Sequence, residues 1–371
     1  MCRRSKLKRF MNTCRVILNE VKNLKSTGWC IQILRFAQDD TLFILSVALL
    51  FLCFPVSIRS QESFRVMFWN VENLFDIRDD SLKHDEEFLP EATRRWTFFR
   101  YRDKLNKVAK TIVASGYEEQ VPDLVGLCEV ENDSCLYDLV KRSPLREAGY
   151  RYVMTDSPDR RGIDVALLYQ RGRFRYLQHQ SVHIPHEQVR RGPTRDILHV
   201  SGRILSGDTL DVVVCHMPSR SGGKARTEPF RLFAAETLRR TVDSLMSVRL
   251  HPHLIIMGDF NDAPSDKALR KVLCGKGDLV NLMEGMEEGT YRYRGEWGIF
   301  DQFLVSENVK AKKQDVQILR HPFLLEEDDR YGGDKPFRTY SGLKYEGGYS
   351  DHLPIALDLL IRDDTDYCSE W

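Results

Sequence analysis

Five strand-like segments follow one another between Tyr150 and Met217, YRYVMTD, DVALLYQ, FRYLQHQSVHI, ILHVSGRI and LDVVVCHM, with no helical pattern between them. Several alternate apolar and polar residues, as antiparallel strands with one wet face do. Such a succession fits a two-layered β core better than a simple parallel sheet, whose neighbouring strands need crossover connections. Helical periodicity lies outside it: a long amphipathic helix around Arg94 to Ser115, with Leu105, Val108, Ala109 and Ile112 at helical spacing, and a second from Glu228 to Val248. A short helix is expected over Ser134 to Arg142, and the strands FRVMFWNV, DLVGLCEV, LIIMGDF, DQFLVS and LPIALDLL complete the pattern. The order predicts an α/β fold, a four-layer sandwich of two packed mixed or antiparallel β-sheets flanked by helices. At 371 residues and 42% hydrophobic content, with no internal repeat and no Gly-, Ser- or Pro-rich linker, residues 61–371 read as a single domain.

Residues 1–60 are unlike the rest and are set aside from the fold. Leu42 to Val56 is an apolar run of 15 residues, short for a membrane span and the right length for the core of a secretion signal, with small and polar residues at Ser57 to Gln61 where a peptidase cuts. A cleaved signal is the expectation, ahead of a retained anchor or a buried helix, and the protein is then exported. Asp39 and Asp40 stand where a signal has positive charge, so part of this segment reads as a misassigned extension.

Lys and Arg (55) nearly cancel Asp and Glu (54), which leaves no global field to attract a polyanion. After residue 60 the cysteines are Cys128, Cys135, Cys215, Cys274 and Cys368, without metal-site spacing. Cys128 and Cys215 sit in apolar runs as small hydrophobes, and no disulfide framework is expected.

The chemistry gathers at strand ends. Asp259 and Asn261 follow LIIM in GDFND, where strand alternation would turn both side chains into one pocket. Asn70 and Glu72 follow FRVMFW, Glu129 and Glu131 follow DLVGLC, and His216 follows LDVVVC. Asp301 opens DQFLVS, and Asp351 with His352 precedes LPIALDLL. Taken singly, Asn70 and Asp351 are ordinary caps, His216 a core histidine and Glu131 a solvated rim acid. Together they make a shared site in which acids and amides predominate, so the implied metal is a hard cation, Mg²⁺ with Mn²⁺ or Ca²⁺ as alternatives, and not zinc.

WNVENLF, GLCEVEN, GIDVALLY, VVVCHMPS, IIMGDFNDAPSD, FDQFLVS and YSDHLPI resemble the endonuclease/exonuclease/phosphatase superfamily, in that family's order, over about Phe64 to Leu359. The histidine of CHMPS looks more like the deoxyribonuclease I branch. The resemblance implies a divalent-metal phosphodiesterase with Glu129, Asn70 and Asp351 at the metal. It further implies His352 against the phosphate and oriented by Asp301, Asp259 on the attacking water, Asn261 on the pentacoordinate phosphate and His216 at the leaving oxygen. In that branch the first histidine has a carboxylate partner. Asp164 is a candidate for it, although Asp164 could equally pair with Arg161. Glu72 stands where some members carry a second metal-site acid.

The substrate is nucleic acid or another phosphoester, with no inferable protein partner and a monomeric state expected. Arg160, Arg161, Arg190, Arg191, Arg195, Arg220, Lys224 and Arg226 lie in loops able to form a phosphate track, with Arg195 the best single choice and Arg161 and Arg220 next. Tyr291, Tyr293 and Trp297 could stack on bases or wall a small pocket. The expected activity is an exported endonuclease of low sequence specificity. The alternative is a phosphoesterase acting on a lipid head group or sugar phosphate.

Overall fold

Two parallel strand pairs, one at the centre of each sheet, organise the molecule. The computed structural model describes residues 62–117, 120–185, 192–310 and 314–361. The apolar segment 42–56, Arg190, Arg191 and Cys368 lie outside the described residues. In the first sheet β1 (Glu62–Leu74) runs parallel to β2 (Leu124–Val130), and helix α1 (Phe98–Ala114) makes the crossover that parallel pairing requires. The antiparallel strands β3 (Arg151–Met154) and β4 (Asp164–Tyr169) extend it on one side.

In the second sheet β5 (Phe174–Val182), β6 (Ile197–Ile204) and β7 (Thr209–His216) form a meander. Helix α2 (Lys224–Val248) then carries the chain to β8 (His253–Asp259), parallel to β7. After β9 (Leu279–Asn281), a hairpin of β10 (Tyr291–Tyr293) and β11 (Glu296–Gly298) precedes β12 (Asp301–Ser306). Strands β13 (Gln314–Ile318) and β14 (Ile355–Ile361) return to the first sheet. The strand orders are β13-β14-β1-β2-β4-β3 and β5-β6-β7-β8-β12-β9. Two mixed sheets with helices outside give the four-layer α/β arrangement.

Alternation explains why β7 and β8 are apolar throughout. Val212, Val214, Ile255 and Met257 belong to the core between the sheets, while Val213, Cys215, Leu254 and Ile256 pack beneath Ala234, Leu238 and Val242 of α2. The sheets approach so closely that a Cβ on Gly126 of β2 would lie 2.8 Å from Met257 Sδ.

Both long helices start one turn away from where periodicity places them. Arg94 to Trp96 do not join α1: Arg95 is left-handed (φ +48°), and Trp96 alone turns inward, buried and donating to the Phe75 carbonyl at 2.9 Å. α2 starts early, at Lys224: Pro229 lies inside it at the cost of one amide bond, and Thr227 Oγ1 donates back to the Gly223 carbonyl at 2.9 Å.

Candidate active site

The site is the polar end of the core between the sheets. His216, Asp259 and Asp301 are register partners on β7, β8 and β12. On each strand the residue two positions inward, Val214, Met257 and Phe303, faces the other sheet, so all three polar side chains do too. Because β12 and β14 run antiparallel to β8 and β1, their first residues reach the end where those strands finish. That places Asp301, and Asp351 with His352 just before β14, beside Asn70 and Asp259. Asn70 spans the sheets, donating from Nδ2 to Asp259 Oδ2 at 3.1 Å.

Backbone strain concentrates here. Four of the six described non-glycine residues with positive φ are Glu72 (+51°), Asn73 (+57°), Glu129 (+62°) and Asn261 (+50°). The first two lie in an irregularity of β1 between Asn70 and Leu74, and Glu129 lies in one of β2 between Cys128 and Val130. A bulge breaks alternation and re-aims a side chain. Here it turns Glu129 into the cleft, where Oε2 accepts from the Asn73 amide at 3.0 Å. Asn261 likewise reaches the cleft through a left-handed turn and not by strand alternation. Its amide N–H donates to Asp259 Oδ1 at 2.9 Å, and Nδ2 donates to the Met217 carbonyl at 3.2 Å.

Asp259 is the pivot. His216 Nε2 stands 3.5 Å and His352 Nε2 3.7 Å from its Oδ2. Burial, with Asp301 adding to it, pushes the Asp259 carboxyl up to about 7 against the pull of His352. The histidines are driven apart. Burial would lower His352, but the carboxylates of Asp301, 2.8 Å from Nδ1, and of Asp259 outweigh it and hold the ring well above its usual range, as imidazolium. Burial holds His216 well below the usual range, reinforced by the charges of Arg195, Arg161 and His352. His216 is therefore a neutral hydrogen-bonding group and not a resting acid.

Several expectations are corrected. Asp164 partners neither His216 nor Arg161; it accepts from Thr155 Oγ1 and from the Ser157 amide at 3.1 Å. His216 Nδ1 has no hydrogen-bond partner among the described residues. Glu131 is not solvated but buried, its carboxyl raised to about 8 chiefly by that burial.

Arg195, chosen as the leading substrate contact, is buried and points inward, donating to the Met217 carbonyl at 2.8 Å and to Asp159 at 3.3 Å. Arg161 and Arg220 do line the cleft, with Lys224, Tyr291, Tyr293 and Phe300. Arg161 reaches Asn73 Oδ1 at 2.7 Å, and Arg220 lies 4.3 Å over the Phe300 ring. Trp297 instead packs beneath Arg320 and Arg292.

Glu72 is committed elsewhere: its two oxygens accept from the Thr339 and Tyr340 amides at 2.6 and 3.2 Å. Sequence reasoning missed the rest of this clamp. Lys104 of α1, fully buried, donates to Thr339 Oγ1 and the Tyr349 carbonyl, both at 2.5 Å. Arg338 pairs with Asp351 at 2.8 Å. Lys104 was findable, since it falls on the stripe with Tyr101, Leu105 and Val108. Arg338 has no such signal.

A family model for the Endonuclease/Exonuclease/phosphatase family matches residues 65–360. The chain belongs to this family. Its members are metal-dependent hydrolases of phosphoester bonds, and so is this protein. Truncated TDP2 from Caenorhabditis elegans is similar in fold, at 17% identity and TM-score 0.52 over 81% of this chain and 98% of that one. The human Nocturnin catalytic domain, with bound sulfate, gives 18% and 0.51 over 81% and 96%. A mannosyl-6-phosphatase from Bacteroides thetaiotaomicron gives 16% and 0.52 over 80% and 100%. No curated protein sequence matches.

The side chains present fit the divalent cation that the family uses. Glu129, Asn70 and Asp351 line one cleft and offer only hard oxygen donors.

Proposed function

We propose that this family member is an exported, Mg²⁺-dependent nuclease of low sequence specificity, with Mn²⁺ or Ca²⁺ as alternative cations. The observation that carries the reading is the pairing of an open cleft, walled by Tyr291, Tyr293 and Phe300 and by Arg161, Arg220 and Lys224, with Asp259 held between His216 and His352, whose Nε2 atoms stand 3.5 and 3.7 Å from its Oδ2. Aromatic faces accept bases without regard to sequence, and the cations follow the phosphate backbone. Export rests on the apolar run 42–56 alone.

Each group has a role that its environment favours. Asp259, with its carboxyl near neutrality, takes the proton from the attacking water. His352 brings positive charge to the phosphoryl oxygens, oriented by Asp301. His216 donates a hydrogen bond from Nε2, and Asn261 keeps one amide hydrogen for the phosphate while the other holds the Met217 carbonyl. Glu129, Asn70 and Asp351 would hold the cation. A bound divalent cation polarises a phosphoryl oxygen and offsets the charge that builds on it.

A second reading, a phosphoesterase for a sugar phosphate or lipid head group, draws support from the cleft volume of about 700 Å³, within the range of small-ligand sites, and from the mannosyl-6-phosphatase of similar fold. Full-length protein incubated with plasmid DNA, RNA and a phosphomonoester panel, with Mg²⁺ or with chelator, separates the two. Nucleic-acid cleavage abolished by chelator is the expected result. Turnover of phosphomonoesters alone would replace the first reading with the second.

A further inference from the structure

Met217, the residue after β7, has a backbone carbonyl that two side chains share. Asn261 Nδ2 donates to it at 3.2 Å and Arg195 at 2.8 Å. The Met217 amide donates to the Asp259 carbonyl at 2.8 Å, so this peptide is fastened to the strand that carries Asp259. Arg195 is 7% exposed, and its other terminal nitrogen donates at 3.3 Å to Asp159, itself 5% exposed. Asp159 lies between β3 and β4 and accepts from the Arg161 amide at 2.9 Å. One buried guanidinium therefore joins a loop of the first sheet to a strand end of the second, where the site lies.

Two features set Arg195 apart from an ordinary buried cation. Its Nε has no hydrogen-bond partner among the described residues. A buried donor left unmatched is costly, so packing alone does not account for an arginine here. Its carbonyl partner also decides how Asn261 is presented. Asn261 stands in a left-handed turn (φ +50°), where strand alternation does not aim the side chain. A carbonyl oxygen accepts from Nδ2 and never from Oδ1, so a fixed Met217 carbonyl dictates which end of the amide it holds and which end is left for the phosphate. The carbonyl has two lone pairs, and the guanidinium holds one of them with the stronger, charge-assisted bond.

We propose that Arg195 is a positioning residue for phosphoester hydrolysis: through the Met217 carbonyl it sets the Asn261 amide that meets the phosphate. The proposal rests on the role given to Asn261 above and holds for either substrate class. Arg195 itself touches no substrate. Its loss therefore lowers kcat and kcat/KM alike, whereas loss of a direct phosphate contact raises KM.

Arg195→Lys in the full-length protein keeps a charge against Asp159 and gives up the planar fork that reaches two acceptors. Measured on whichever phosphoester the protein turns over, it should lower kcat about 10- to 100-fold, with KM changed less than about twofold. Asn261→Ala should lower kcat about 100- to 1000-fold. Because Arg195 acts through Asn261, adding Arg195→Lys to the Asn261→Ala protein should lower kcat by less than about twofold more. Selective ¹⁵N-asparagine labelling reads the same link without turnover: the side-chain NH₂ resonances that Asn261→Ala removes should shift in Arg195→Lys. If Arg195→Lys folds poorly, Asp159→Asn, which leaves Arg195 in place and loosens it, should give the same kinetic split and the same shift. A full further loss of kcat on top of Asn261→Ala, a raised KM with kcat unchanged, or Asn261 resonances that stay in place would overturn this proposal alone. A fully active Asn261→Ala protein would remove the role of Asn261 and the proposal with it.

Discussion

At the scale of single residues, Asp259 carries the most specific consequence. Its carboxyl is raised to about 7, and the proposed base is competent only when ionised. kcat/KM is therefore expected to climb about tenfold per pH unit below that value and to level off above it, as a single ionisation requires. A pH–rate profile showing a flat line from pH 5 to 8 would contradict the assignment. Asp259→Asn removes the base and should lower kcat by roughly a hundred- to ten-thousandfold, with the fold checked by circular dichroism. That His216, Asp259, Asp301 and His352 come together was legible in the sequence, because a strand end or start fixes where each side chain lies. The place of Arg195 was not legible, because a loop arginine and a buried arginine look alike until the chain brings the Met217 carbonyl and Asp159 to it.

Among elements, the segment between Phe337 and His352 depends on α1. Glu72 and Lys104 together fix Thr339, Tyr340 and Tyr349, and Ser350 Oγ, donating to the Asn70 carbonyl at 2.6 Å, accepts from the His352 amide at 3.1 Å. Asp351 and His352 inherit their positions from these contacts. Lys104→Met should raise the Mg²⁺ concentration for half-maximal activity by about 10- to 100-fold, the usual effect of losing support behind a metal ligand. An unchanged metal requirement would show that the clamp does not reach the site.

The sheets make a separate prediction. Gly126→Ala places a methyl against Met257 Sδ at 2.8 Å and Phe68 at 3.1 Å. It should destabilise the protein by about 1–3 kcal/mol in denaturant unfolding, the ordinary cost of overpacking a core. The strands themselves were readable from their apolar runs. The bulges at Asn70–Leu74 and at Glu129 were not, since no glycine marks the left-handed positions Glu72, Asn73 and Glu129.

For the whole molecule, the symmetry of the two sheets explains where the chemistry sits. Each has one parallel pair at its centre, β1–β2 and β7–β8, and each pair ends at the same edge of the core. Antiparallel β12 and β14 begin there too, so four strand ends and two strand starts converge on a single cleft. The sequence order of the polar clusters anticipates this convergence. The cleft's outer walls come from loops and the β10–β11 hairpin, whose lengths follow no periodic rule, which is why reaction class was more readable than substrate.

The central claim is that a water molecule activated at Asp259 attacks phosphorus directly, with no covalent enzyme intermediate. Single-turnover hydrolysis in H₂¹⁸O with Mg²⁺ tests it most directly. One ¹⁸O atom in the phosphoryl group of the product, with no phosphate retained on the protein and no turnover by Asp259→Asn, is the predicted result. Phosphorylated protein, or a first-turnover product lacking the label, would contradict it.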